Sequence, residues 1–163
     1  MDFRRFRKFL NLRNCECQRC KLVVTPPQTL GNLAWRQLLQ GRRTGRRVLP
    51  VEFGFKVEVS FEDKGKFLGQ EGGNIGTYCS VPRADGTLSG EGHGVFITAE
   101  GETATWKGMG TGKLTGGGAV SYRGALIFTT TSQKLARLHA IAALFEFEVD
   151  AEGNTHSKFW EWK

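Results

Sequence analysis

Two periodicities coincide in this chain, and together they constrain its fold more than anything else in it. Over residues 48–61, Leu49, Val51, Phe53, Phe55, Val57, Val59 and Phe61 share one parity, while Pro50, Glu52, Gly54, Lys56, Glu58 and Ser60 share the other. A period of two over this length predicts a half-buried β-strand. Further along, the apolar parity is also the glycine parity. In 87–98 it holds Leu88, Gly90, Gly92, Gly94 and Phe96. In 102–114 it holds Ala104, Trp106, Gly108, Gly110, Gly112 and Leu114. Val120, Tyr122, Gly124, Leu126 and Phe128 follow, then Ala143, Phe145, Phe147 and Val149.

Turn signals punctuate these runs at Asp63-Lys64-Gly65, Ala84-Asp85-Gly86, Glu100-Gly101, Gly116-Gly117-Gly118 and Glu152-Gly153-Asn154. That spacing is the signature of an antiparallel meander. The pattern predicts about eight strands, near 36–44, 48–61, 66–72, 75–82, 87–98, 102–114, 119–131 and 143–163, the last a hairpin. One helical turn is expected at 132–138, capped by Ser132, with Leu135 and Leu138 facing the body. Glycine-rich strands in an open sheet have weak register and exposed edges. Closure removes the edges, so the expected fold is all-β, a small closed antiparallel up-and-down barrel. A two-sheet β-sandwich is the alternative.

Charge divides the chain. Residues 1–50 hold 12 of the 23 lysines and arginines but 2 of the 16 acids, and only 3 of the 22 glycines. The basic pI belongs to this leader, so it does not make the whole protein a nucleic-acid binder. The expected organisation is a poorly ordered or irregular basic leader over 1–40 and a barrel domain over 41–163. The leader has no apolar run and cleavage site of the secretory kind, and no serine as a transit peptide would. It could touch nucleic acid or an anionic surface through Phe3, Phe6 and Leu10 flanked by Arg4, Arg7 and Lys8. No segment is long and apolar enough for a transmembrane helix. A cytoplasmic location is expected.

Cys15, Cys17 and Cys20 are spaced to share a soft metal. A tetrahedral zinc needs a fourth ligand, from Cys79, His93, His139 or His156. The competing reading is free thiols on a flexible leader. No cofactor motif is present: the glycine clusters at 90–94 and 108–112 are not followed by a helix, so no helix N-terminus faces a phosphate. Glu91 and His93 fall on the polar parity and are expected in solvent. No catalytic set shares the interior face. The interior polar groups are the Tyr122 hydroxyl, the Trp106 indole, and Tyr78 or Cys79. The closing Phe159-Trp160-Glu161-Trp162-Lys163 is expected to be a final strand pinned by buried Trp160 and Trp162.

Interior glycines either let large rings lie across the strands, giving a packed core, or leave room for a ligand. The ligand reading is a cavity for a small apolar molecule, lined by Phe53, Phe55, Trp106, Tyr122, Phe128, Phe145 and Phe147. The packed reading is a structural or oligomeric module, a homo-oligomer using outward Val95, Ile97 and Ile127.

The motifs Gly90-Glu-Gly-His-Gly94, Thr105-Trp-Lys-Gly-Met-Gly-Thr-Gly112, Tyr122-Arg-Gly124, Lys134-Leu-Ala136, Phe145-Glu-Phe-Glu-Val-Asp150 and Trp160-Glu-Trp-Lys163 carry a resemblance. Thr44–Leu49 and Gly76–Tyr78 extend it over about residues 41–163. The chain resembles an uncharacterised family of small bacterial and archaeal proteins, similar in general look to the allene oxide cyclase-like, calycin-like barrels. The resemblance implies a barrel, often oligomeric. A non-redox cyclase or isomerase activity would follow by fold analogy only, since no cyclase residue matches position by position.

Overall fold

The computed structural model describes residues 36–52 and 54–162. Eight strands form one closed antiparallel barrel in sequence order: β1 (Arg36–Leu49), β2 (Lys56–Phe67), β3 (Gln70–Pro82), β4 (Leu88–Thr98), β5 (Thr103–Gly116), β6 (Ala119–Thr130), β7 (Ala142–Val149) and β8 (Asn154–Trp162). Closure is made by β1 on β8, paired from Arg36↔Trp160 to Arg42↔Asn154. Among the described residues, no helix is long and apolar enough to cross a membrane.

The run 48–61 is not one strand. β1 ends at Leu49, and the chain crosses to β2 through residues 50–55, where Gly54 takes φ 77°. Val51 and Phe55 lie on this crossing and are exposed, although they share parity with Val59 and Phe61. Likewise, Asp63-Lys64-Gly65 is not a turn. β2 runs through it to Phe67 and reverses at Leu68-Gly69, whose φ values of 50° and 79° are those of a two-residue primed turn. The segments expected at 66–72 and 75–82 are therefore one strand, β3, preceded by that turn. The other expected turns hold, with positive φ at Gly86, Gly101, Gly117, Gly118 and Gly153.

The inward parities of β2 and β4 to β7 are as the sequence predicts. They build two contiguous clusters. The lower one packs Leu39, Phe67, Phe96, Phe128 and Phe159 against Leu135, Leu138 and Ile141. These last come from the 132–141 connection, whose 3-10 helix spans Ala136–Ala140. Ser132 Oγ accepts the Leu135 N–H at 3.4 Å, and Leu135 and Leu138 are fully buried, so this segment plugs one end of the barrel. The upper cluster holds Phe61, Leu88, Tyr122, Phe147 and Val149, with Tyr78, Trp106 and Phe145 against it.

β8 departs from expectation. Its inward residues are Thr155, Ser157, Phe159 and Glu161, all buried, whereas Trp162 is 56% exposed and Trp160 lies on the same outer parity. Period 2 admits one face only, and buried partners for the polar residues decide which. Asp63 takes the Thr155 and Ser157 hydroxyls, and Arg137 pairs with Glu161.

Interior glycines are where rings cross strands. A Cβ on Gly94 would stand 2.3 Å from the Ile75 carbonyl oxygen and 2.6 Å from Trp106 Cζ2. Gly45, by contrast, has nothing within 4 Å. Gly94→Ala is expected to destabilise the barrel by about 2–3 kcal/mol, the upper part of the usual range for forced overpacking. Gly45→Ala should stay within about 0.5 kcal/mol of the native chain. Urea unfolding of both variants measures the contrast.

Candidate functional site

The upper half of the barrel holds a part-open cavity of about 60 Å3, bounded by Phe61, Tyr78, Trp106, Tyr122, Phe145 and Phe147, with Leu126 and Phe159 beneath. Two directly paired glycine couples, Gly90↔Gly110 and Gly92↔Gly108, form the bare-backbone wall on the β4–β5 side. Tyr78 meets Tyr122 and Phe147 edge-on at centroid separations of 5.6 Å each, and Phe61 meets Phe147 in a tilted pair at 4.9 Å. Such pairs hold one another in place beyond the area they bury.

Of the residues expected to line a cavity, four come together here: Trp106, Tyr122, Phe145 and Phe147. Phe128 faces inward but belongs to the lower cluster, against Phe67. Phe55 is 48% exposed on the β1–β2 crossing and is not brought to the interior. Phe53 lies outside the described residues, as do Cys15, Cys17 and Cys20. Among the described residues, no three His, Cys, Asp or Glu side chains come together as a metal site.

Both readings of the glycine face find support, at different positions. Rings cover Gly76 (Phe61, Trp106), Gly90 and Gly112 (Tyr122) and Gly94 (Trp106). That is packing, and it accounts for part of the row. What the rings leave unfilled is the cavity.

The polar groups around it are fixed. Tyr122 Oη and Ser80 Oγ share a hydrogen bond of 2.6 Å. The Trp106 indole donates to Asn74 Oδ1 at 2.7 Å. Asn74 in turn pairs across the strands with Asp63 and hydrogen-bonds to it. Asp63 is 1% exposed. Thr155 Oγ1 donates to its Oδ1, and Ser157 Oγ donates to its Oδ2 at 2.9 Å. Burial raises the Asp63 carboxyl above the ordinary aspartate range, against the lowering effect of these donors. Burial likewise raises both Tyr78 and Tyr122, so the two phenols stay protonated at neutral pH.

Asp63, Asn74, Thr155 and Ser157 were not candidates by sequence. One signal did point to Asp63: the odd parity of Val59 and Phe61, carried two residues further, puts it inside. The turn-like Asp-Lys-Gly composition hid it. Tyr78 faces inward and its neighbour Cys79 outward. Glu91 and His93 are exposed on the outer face, as expected, and Ile97 and Ile127 are exposed there too. Val95 is half-buried.

No family model matches the chain, and no curated protein matches it in sequence. Solved structures do. A protein of unknown function from Clostridium acetobutylicum has a TM-score of 0.66 at 13% identity, covering 78% of this chain and 96% of that one. A beta-barrel like protein from Acinetobacter baumannii has a TM-score of 0.65 at 11% identity, covering 78% and 92%. An enzyme from Penicillium herquei has a TM-score of 0.55 at 18% identity, covering 77% and 91%. At such identities the likeness is one of fold. It bears out the expected resemblance to small barrel proteins of uncharacterised role.

Proposed function

We propose that the barrel binds a small apolar molecule, or the apolar part of one, in its upper cavity. The observation that carries this reading is the cavity itself, left open inside an interior that is otherwise closed by rings. Its small volume has room for a short apolar group only. Filling a space walled by rings and bare glycine backbone with carbon restores contacts its lining lacks. A short aliphatic group suits a space of this size. A larger, planar occupant requires one of the wall rings to swing aside. Tyr78 and Phe145 are half-buried, whereas Tyr122 is buried and tied to Ser80.

Two measurements test the proposal. Native mass spectrometry of the purified chain is expected to show an excess mass that is lost on denaturation. Isobutane-saturated buffer is expected to shift the Trp106 indole N–H resonance saturably. A clean native mass together with an unmoved indole resonance would leave the packed-core module as the function of this fold.

A further inference from the structure

The upper rim of the barrel carries two arginines on its inner side, and a β-bulge puts them there. Arg43 and Arg46 are three residues apart, so in a regular strand they would face opposite ways. The β1–β2 register shifts between Arg43 and Gly45. Arg43 stands opposite Phe61 and Arg46 opposite Val59, and both partners are buried inward residues. Residues directly opposite in an antiparallel pair share a face, so both arginines share the inner one. Bulges at barrel rims re-aim side chains in this way.

The two rows lead straight to the cavity. Arg43 neighbours Phe61, a wall residue. Arg46 neighbours Val59, which is paired with Tyr78, another wall residue. Both guanidinium charges reach the Tyr78 phenol, partly offsetting the effect of its burial. The Arg43 guanidinium lies where a Cβ on Gly153 would stand 3.2 Å from Nη2, so Gly153 leaves it room. Neither arginine makes an ion pair among the described residues. Arg47 and Arg123, on the outer face, are each paired with glutamate.

We propose that Arg43 and Arg46 form a carboxylate-binding pair at the mouth of the cavity, and that the ligand is a short-chain aliphatic carboxylate whose tail occupies the cavity. This rests on the apolar-binding reading above and names its ligand class. Two forked guanidiniums offer a carboxylate the geometry that a lone lysine does not. The small cavity limits the tail to a short aliphatic chain.

The test compares isovalerate with its neutral isostere isovaleramide by calorimetry at low salt, on the full chain. Isovalerate is expected to bind at least tenfold tighter, and the preference should shrink as salt rises. In an Arg43→Gln/Arg46→Gln double variant the two probes should bind alike. Arg47→Gln, on the outer face, should keep the preference. Because Arg43 packs against Gly153, the exposed Arg46→Gln single variant serves as a second reading, with a loss of severalfold expected for isovalerate alone. Equal binding of the two probes to the native chain, or a preference that survives the double variant, overturns the proposal. If isobutane still binds in that case, the apolar-binding reading stands without it. If no probe binds, both fall.

Discussion

A chain that stops at Asp150 is expected not to fold, with a circular dichroism spectrum of unfolded chain and no cooperative transition in urea. Strand β8 is paired on both sides, with β1 and with β7, so its loss leaves two long open edges where the barrel had none. The same truncation strips Thr155 and Ser157 from the buried Asp63 and Phe159 from the lower cluster. The terminal tryptophans contribute much less. Trp162→Ala removes a ring that is more than half exposed, and its effect should stay under about 1 kcal/mol. A truncated chain that melts cooperatively would show that seven strands suffice. A Trp162→Ala loss of several kcal/mol would show that the outer face of β8 is covered.

That contrast shows how far the sequence could be read. Alternation told the inward face correctly wherever that face was apolar, as in β4 to β7, and closure followed from glycine-rich strands needing no edges. The rule failed where the inward face was polar. Thr155, Ser157 and Glu161 are buried because Asp63 and Arg137, distant in sequence, supply their partners. No local pattern records such a partner, so the large Trp160 and Trp162 drew the eye to the wrong side. The break at 50–55 failed for the opposite reason: its parity continues across the crossing, and only Pro50 and Gly54 mark it. The cavity was half legible. The glycine row pointed to the right wall, and Trp106, Tyr122, Phe145 and Phe147 to the right rings. How much of the row those rings would cover depended on side-chain directions that spacing does not give. The inward turn of Arg46 depended on a bulge that spacing hides altogether.

Replacing Asp63 should expose what the buried polar cluster costs and what it contributes. Asp63→Ala leaves the Thr155 and Ser157 hydroxyls and the Asn74 amide without their acceptor, at a buried position. Unsatisfied buried donors cost about 1–3 kcal/mol each, and a total near 3 kcal/mol is expected after relaxation. Asp63→Asn keeps an acceptor and a similar shape, and so tests the charge separately. The folded carboxyl is raised above its unfolded value near 3.9, so the folded state holds its proton more tightly than the unfolded state does. Its contribution to stability is therefore fully present below the unfolded value and is lost as pH rises through the folded one. Asp63→Asn carries no such titration. In urea unfolding, the stability of Asp63→Asn relative to the native chain is expected to rise as pH climbs above the unfolded value, and to level off once the folded carboxyl has ionised. A difference that falls with pH would mean that the three donors hold the carboxylate more strongly than burial penalises it. The cluster would then be a site that binds negative charge, against the upward push that burial gives the carboxyl.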